Sequence, residues 1–418
     1  MMRRTRFALI ASLPCILLLF ALACGGGSSS KDNNNGGGGS SVANQVPLSV
    51  DAGPSSLYSN FNVAYVSVTV CKPGTNTCVT VPDVELDTGA TGLRLLSGAV
   101  SGLGLTNVTS GGLTLTNCVE YLDNSFQWGP VATVDVVLAG ELAKSVPIQI
   151  IAEPGDAFPA APAGCGGTPV NTVDTLLANG FLGLSSAQQD CGPACAPGTT
   201  LNGGSYYSCG SSSCSLTTAS LAQQLQNPVG LFTSDNNGVV VSLQTVPASG
   251  LPSASGTLTF GIGTQADNAL GGAVVLIPDS SGNFTTKFKN TTTNVGFIDS
   301  GSNGLYFLNA ADTGIPECTA SAFAGFYCPT NTESLTATNS SNGATSTVSF
   351  SVADGENLLN SSNNALPELA GTGDDTTDPT FGLYFDWGLP FFYGKSVFVA
   401  LEGTSAAGTD GPYWAYTN

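Results

Sequence analysis

The sequence predicts an all-β protein of two related lobes, on three observations. Short alternating or apolar stretches are separated throughout by Gly, Asn, Ser and Pro, with 53 glycines and 23 prolines in 418 residues, a density too high for long helices. Helical periodicity is scarce. An eleven-residue pattern in the first half returns 212 residues later in the second, which points to a repeated unit.

Strands are expected over residues 64–70, 131–138, 146–151, 239–243, 347–352 and 396–401, where β-branched and apolar residues run between turn formers. The one expected helix covers residues 221–226, entered through Thr217, Thr218 or Ser220 and stopped by Asn227-Pro228. Residues 261–266 fit a Gly-x-Gly-x-x-Ala fingerprint after a strand. A dinucleotide site needs a helix opening directly behind it. Asp267, Asn268, Gly271 and Gly272 break the segment instead, so a turn between strands is expected.

The repeated pattern is Leu86-Asp87-Thr88-Gly89-Ala90-Thr91-Gly92-Leu93-Arg94-Leu95-Leu96, echoed by Ile298-Asp299-Ser300-Gly301-Ser302-Asn303-Gly304-Leu305-Tyr306-Phe307-Leu308. Each copy is an apolar strand end, Asp-Thr/Ser-Gly, then Gly-Leu and further apolar residues. Asp-Thr-Gly alone is ordinary turn chemistry. Asp312-Thr313-Gly314 lacks both flanks and reads as a plain turn.

Residues 1–23 do not belong to the fold. Arg3, Arg4 and Arg6 precede an apolar run that ends at Ala21-Leu22-Ala23-Cys24, the layout of a secretory signal. Its last residues are similar to a bacterial lipobox, which makes Cys24 the expected lipidation site. Residues 24–44 form a Gly/Ser/Asn tether; about 20 such residues reach roughly 25 Å. The folded part divides into an expected N-terminal lobe, 45–250, and a C-terminal lobe, 251–418. The expected location is the bacterial cell envelope, with the outer membrane or cell surface ahead of the inner membrane because Gly25, not Asp, follows Cys24.

Three of the ten basic residues and none of the 29 acidic ones lie in residues 1–23, so the remainder carries 7 basic against 29 acidic residues, a net charge of −22. This argues against nucleic acid as a partner. Ten of the twelve cysteines remain after Cys15 and Cys24, an even number that in an exported protein reads as five disulfides. Cys71 with Cys78 and Cys318 with Cys328 are short-range candidates. Cys191, Cys195, Cys209 and Cys214 could nest as two bridges, with their pairing left open, and Cys118 and Cys165 remain by elimination. No CxxC pair and no histidine occur, so no metal site and no cofactor are expected.

Histidine is absent from all 418 residues. That removes Ser-His-Asp and Cys-His nucleophile systems and any imidazole base. Acid–base chemistry in this chain falls to carboxylates.

With the two Asp-Thr/Ser-Gly copies in place, residues 62–402 resemble the pepsin-like aspartic proteases. Glu120-Tyr121-Leu122 stands where that family has its flap tyrosine. Asn179-Gly180-Phe181-Leu182-Gly183-Leu184 is similar to the segment crossing behind the first catalytic loop. Residues 221–232 resemble the following short helix and Leu-Phe strand, and residues 255–261 the strand entering the second lobe. Trp387-Gly388-Leu389-Pro390-Phe391-Phe392 resembles the closing segment. The resemblance implies a bilobal fold with a cleft, Asp87 and Asp299 as catalytic carboxylates, and Thr88 and Ser300 gripping the opposite loop. Gly89 and Gly301 would permit tight turns, Ser302 would bond an outer carboxylate oxygen, and Ala90 offers no hydroxyl at the matching place. The chain departs from the family at Arg94, which replaces a tryptophan and becomes a candidate modulator of the dyad. It departs again at the flap candidate Tyr121-Leu122-Asp123-Asn124, which lacks the usual glycines, and at Asp386, which replaces an apolar residue. The sequence also resembles an uncharacterised bacterial lipoprotein family, domain of unknown function 3443.

Two functional readings follow from the resemblance. In one, a monomeric, lipid-anchored endopeptidase hydrolyses an extended peptide or protein lying between the lobes. In the other, the same cleft binds a peptide, glycan or partner protein without cleaving it.

Overall fold

The computed structural model describes residues 44–121, 123–200, 204–375 and 382–417. The expected signal, Cys24 and nearly all of the tether lie outside the described residues.

In the first half, β1 (Gln45–Val50), β2 (Ala64–Cys71), β3 (Cys78–Asp87) and β4 (Thr91–Leu96) lead to a hairpin of β5 (Leu113–Glu120) and β6 (Ser125–Leu138). There follow β7 (Glu141–Ile151), β8 (Gly180–Leu184) and β9 (Gly238–Leu243). Alternation sets their faces: Val66, Val68 and Val70 of β2 are buried and meet Val84, Leu86, Val134, Val136 and Ile148 in an aliphatic core. In the second half come β10 (Ala254–Phe260), β11 (Phe284–Phe288), β12 (Thr291–Ile298), β13 (Leu305–Phe307), β14 (Glu333–Ser341) and β15 (Ala344–Val352). The chain closes through β16 (Phe385–Trp387), β17 (Ser396–Ala400) and β18 (Tyr413–Tyr416).

The second lobe has its own seven-stranded sheet, ordered β15-β14-β11-β12-β16-β13 and ending on the short strand Ala370–Gly371. Its core is aromatic. Phe307 stacks on Phe385 at 4.9 Å and Phe385 on Trp387 at 4.4 Å, while Phe391 meets Trp387 at 5.1 Å and Tyr416 at 4.9 Å. The buried Trp387 indole N–H donates to Asn339 Oδ1 at 3.1 Å, which meets the need of a polar tip in an apolar core.

A run of paired strands, β2-β1-β10-β9-β17-β18, underlies both lobes. It draws on the beginning, middle and end of the chain, so the halves share one foundation. The division at 250/251 passes between β9 and β10, which are antiparallel partners with Val241 opposite Leu258.

One expectation is corrected and one open pairing is decided. Residues 221–226 form no helix, only turn and bend with a bridge at Gln226. Six residues ahead of a proline do not repay the helix nucleus, and Gln224 donates instead to the Gly192 and Ala219 carbonyls. The sole helical turn there is a 3-10 turn, Pro228–Leu231, and Phe232 caps it rather than opening a strand. The four clustered cysteines pair in succession, Cys191 with Cys195 and Cys209 with Cys214, instead of nesting. Cys209 and Cys214 face each other across the hairpin of Tyr206–Cys209 and Cys214–Leu216, so local register brings them together first. The remaining bridges are Cys71–Cys78, Cys118–Cys165 and Cys318–Cys328. The fingerprint at 261–266 is followed by a three-residue 3-10 turn, Ala266–Asn268. Asp312-Thr313 ends a single helical turn capped by Gly314.

Candidate functional site

Both Asp-Thr/Ser-Gly segments are loops at strand ends, and the two lobes build them alike. In the first, β8 lies parallel to β3 and antiparallel to β4, with Leu182 opposite both Leu86 and Leu93. In the second, β16 lies parallel to β12 and antiparallel to β13, with Trp387 opposite both Ile298 and Leu305. The residue after each crossing is a glycine because the loop passes over it. A Cβ on Gly183 would stand 2.8 Å from the Ala90 carbonyl oxygen, and one on Gly388 only 2.0 Å from that of Gly304.

The loops grip one another. The Thr88 N–H donates to Ser300 Oγ at 3.0 Å, and the Ser300 N–H donates to Thr88 Oγ1 at 3.0 Å. The Ser300 hydroxyl in turn donates a hydrogen bond to the Leu86 carbonyl at 2.8 Å. All four groups are buried, so each bond satisfies atoms that would otherwise cost free energy.

The carboxylates sit inside this frame. Asp87 is fully buried and Asp299 is 2% exposed. Asp87 Oδ1 accepts from the N–H groups of Gly89 at 2.8 Å and Ala90 at 3.1 Å. Asp299 Oδ1 accepts from Gly301 N–H at 2.7 Å and Oδ2 from the Ser302 hydroxyl at 3.0 Å. A Cβ on Gly89 would lie within 2.5–2.7 Å of all three Asp299 carboxyl atoms, so the second carboxylate rests directly against the first loop. Only glycine allows that approach.

The remaining sequence-predicted residues are placed as follows. Tyr121 follows the last residue of β5 at the hairpin tip, but its ring is buried against Phe181 at 5.9 Å and its hydroxyl donates to Gln127 Oε1 at 3.0 Å. The tip is pinned from outside, where Thr168 N–H donates to the Asn124 carbonyl and Val170 N–H to that of Phe126. Arg94 is 2% exposed; it donates to the Thr91 carbonyl at 2.7 Å and forms an ion pair with Asp190 at 3.5 Å. Its charge is therefore answered by Asp190, contrary to the expectation of a guanidinium acting on the dyad. Burial raises the Asp190 carboxyl, with Arg94, Tyr206 and Asn117 pulling it back.

Glu85, Asn62 and Asp190, which surround the site, escaped the sequence reading. Glu85, two residues before Asp87, is fully buried and lines a cavity of about 390 Å³ beside the Asp299 loop. Asp123, Asp174, Val63, Val170, Leu177, Gly301 and Asn303 also line it. Asn62 ties the lobes together: its amide donates to the Asn303 and Leu366 carbonyls at 2.9 and 2.8 Å, and its oxygen accepts from Leu366 N–H and the Tyr393 hydroxyl at 2.7 and 2.8 Å. A charge at an inward strand position was the available signal for Glu85. Nothing local marks Asn62 or Asp190.

Among solved structures, the chain is similar to the aspartic proteinase from Irpex lacteus, at 14% identity and a TM-score of 0.48, over 90% of this chain and 96% of that one. Likeness at that level adds nothing to the strand topology described above. No curated protein matches the sequence. The family model DUF3443, described as a protein of unknown function, matches residues 40–416, and the chain belongs to that family.

Proposed function

We propose that the protein is a lipid-anchored aspartic endopeptidase of the bacterial cell envelope. The observation that carries this reading is the reciprocal Thr88–Ser300 grip, with the Asp299 carboxyl seated against Gly89. Two carboxylates held face to face resist ionising together and share a proton, as in the pepsin dyad. The ionised member takes a proton from a bound water while the protonated member polarises the scissile carbonyl. The attacking water forms the new C–O bond, the C–N bond breaks, and the leaving amine carries away the proton. No covalent enzyme intermediate is formed.

The cavity beside the Asp299 loop suggests the class of substrate. Apolar walls at Val63, Val170 and Leu177 with three carboxylates, Glu85, Asp123 and Asp174, suit a long aliphatic side chain ending in a cation. Peptides with Lys or Arg in this subsite are expected to be cleaved ahead of those with Asp or Glu.

The test is a peptide library incubated with the full chain from about pH 2 to about pH 7. Turnover with a bell-shaped pH profile and a basic residue beside the cleaved bond is expected. Asp87→Asn and Asp299→Asn should each reduce it by at least about 10³-fold. Unchanged cleavage in both variants would sink the mechanism. A second reading, binding without hydrolysis, draws support from the pinned hairpin tip, which has little freedom to close over a substrate. Tight peptide binding with no cleavage at any pH would favour it.

A further inference from the structure

Asp386 is the middle residue of β16, the strand wedged between β12 and β13, and lies opposite Phe297 and Tyr306. Its counterpart in the first lobe is Phe181, opposite Glu85 and Arg94, so an acid occupies a place where the other lobe has an apolar ring. The side chain is fully buried, and neither carboxyl oxygen accepts a hydrogen bond of normal geometry among the described residues, the nearby Ser302 hydroxyl being donated to Asp299 Oδ2. Leaving a buried carboxyl unsatisfied is costly. The neighbouring strand end delivers the dyad to it: the Asp299 N–H donates to the Trp387 carbonyl at 3.1 Å, one residue from Asp386.

The titratable groups facing Asp386 are Asp299 beyond the end of β12, Asp87 from the opposite lobe and Tyr306 on β13. None of them is a cation. Burial pushes the Asp386 carboxyl well above its ordinary range, Asp299 and Asp87 push it further, and the nearby Ser302 hydroxyl offsets this in part.

We infer that Asp386 is the third member of the carboxylate cluster, a positioning residue that keeps the shared proton on Asp87 and Asp299 as the pH rises. This rests on the dyad reading above. The dyad with one proton already carries a negative charge. The next proton lost to water comes either from the dyad itself, placing two charges face to face, or from Asp386 on the adjacent strand. Once Asp386 has ionised, its charge opposes further loss from the dyad. Such protons leave as a property of the cluster and not of one residue. The working range would thereby extend toward neutral pH, where an envelope protein operates.

The test follows the carboxyl carbons of Asp87 and Asp299 by ¹³C NMR through a pH titration of the full chain and of Asp386→Asn. The expected result is that the dyad of the variant loses its last proton at lower pH than in the wild type. The basic limb of peptide hydrolysis should move down with it, so that activity there falls about tenfold for each pH unit beyond the new limb. Asp386→Leu, which restores the apolar residue of the other lobe, should do the same and stands in if the Asn variant does not fold. Dyad resonances that titrate at an unchanged or higher pH in both variants would overturn the inference. If the resonances shift as expected but no peptide is cleaved by the wild type, the cluster stands and the peptidase reading falls.

Discussion

Arg94 and Asp386 stand at departures from the pattern the rest of the chain follows, and both are buried. Arg94 has an opposite charge within 3.5 Å, whereas Asp386 has none among the described residues. Removing Arg94 therefore leaves Asp190 buried and unmatched. The expected cost of Arg94→Ala is roughly 3–5 kcal/mol, read as a lower denaturant midpoint, with the pH profile of any hydrolysis unmoved. A shifted basic limb in that variant would return Arg94 to the dyad. Asp386→Asn should act in the opposite direction on stability. Its folded-state carboxyl is raised, so the contribution of the group is fully present below the range in which an unfolded carboxyl ionises. It is lost as pH rises from there toward the folded value. The variant should match the wild type near about pH 3 and exceed it in melting temperature near about pH 7.

At the scale of elements, the crossing strands β8 and β16 determine the site. Each holds an Asp-Thr/Ser-Gly loop through one parallel and one antiparallel partner, and each has a glycine under a loop carbonyl, Gly183 within β8 and Gly388 directly after β16. The tighter is Gly388, where an added Cβ meets backbone rather than a movable side chain. Gly388→Ala is expected to displace the Ser302–Gly304 loop and cost at least about 3 kcal/mol, measured by chemical unfolding. An Ala variant of unchanged stability would mean that the loop has room the distances deny. The first crossing strand was legible as an apolar-apolar-Gly run, and the second only through the likeness of Trp387-Gly388-Leu389-Pro390-Phe391-Phe392 to a closing segment, since Asp386 interrupts its apolar run. The absent helix at 221–226 was not, because its periodic residues spend their side-chain bonds on neighbouring loops, a choice that only tertiary contacts make.

For the whole molecule, the shared strand run β2-β1-β10-β9-β17-β18 and the Asn62 clamp hold two lobes as one body. The acidic excess is placed partly in the cavity beside the Asp299 loop, where Glu85, Asp123 and Asp174 share one wall system. Anchoring belongs at this scale as well. If Cys24 carries the lipid, Cys24→Ala should move the protein from the membrane fraction to the soluble one. A variant that still sediments with membranes would show that another part of the chain holds it there.

The sequence by itself determined the all-β class, the doubled Asp-Thr/Ser-Gly loops at Asp87 and Asp299, and the exclusion of histidine chemistry. Each of these is written in contiguous residues: strand alternation, an eleven-residue echo, a missing residue type. Short disulfides such as Cys71–Cys78 were legible for the same reason, since strand register sets them locally. Only the tertiary structure decided which residues separated in sequence are neighbours in space. It paired Arg94 with Asp190, gave the Asn62 side chain four hydrogen bonds to Asn303, Leu366 and Tyr393 across the lobes, brought Glu85, Asp123 and Asp174 around one cavity, and set Asp386 beside the dyad. Those placements depend on burial and on contacts between distant strands, and no local pattern encodes either.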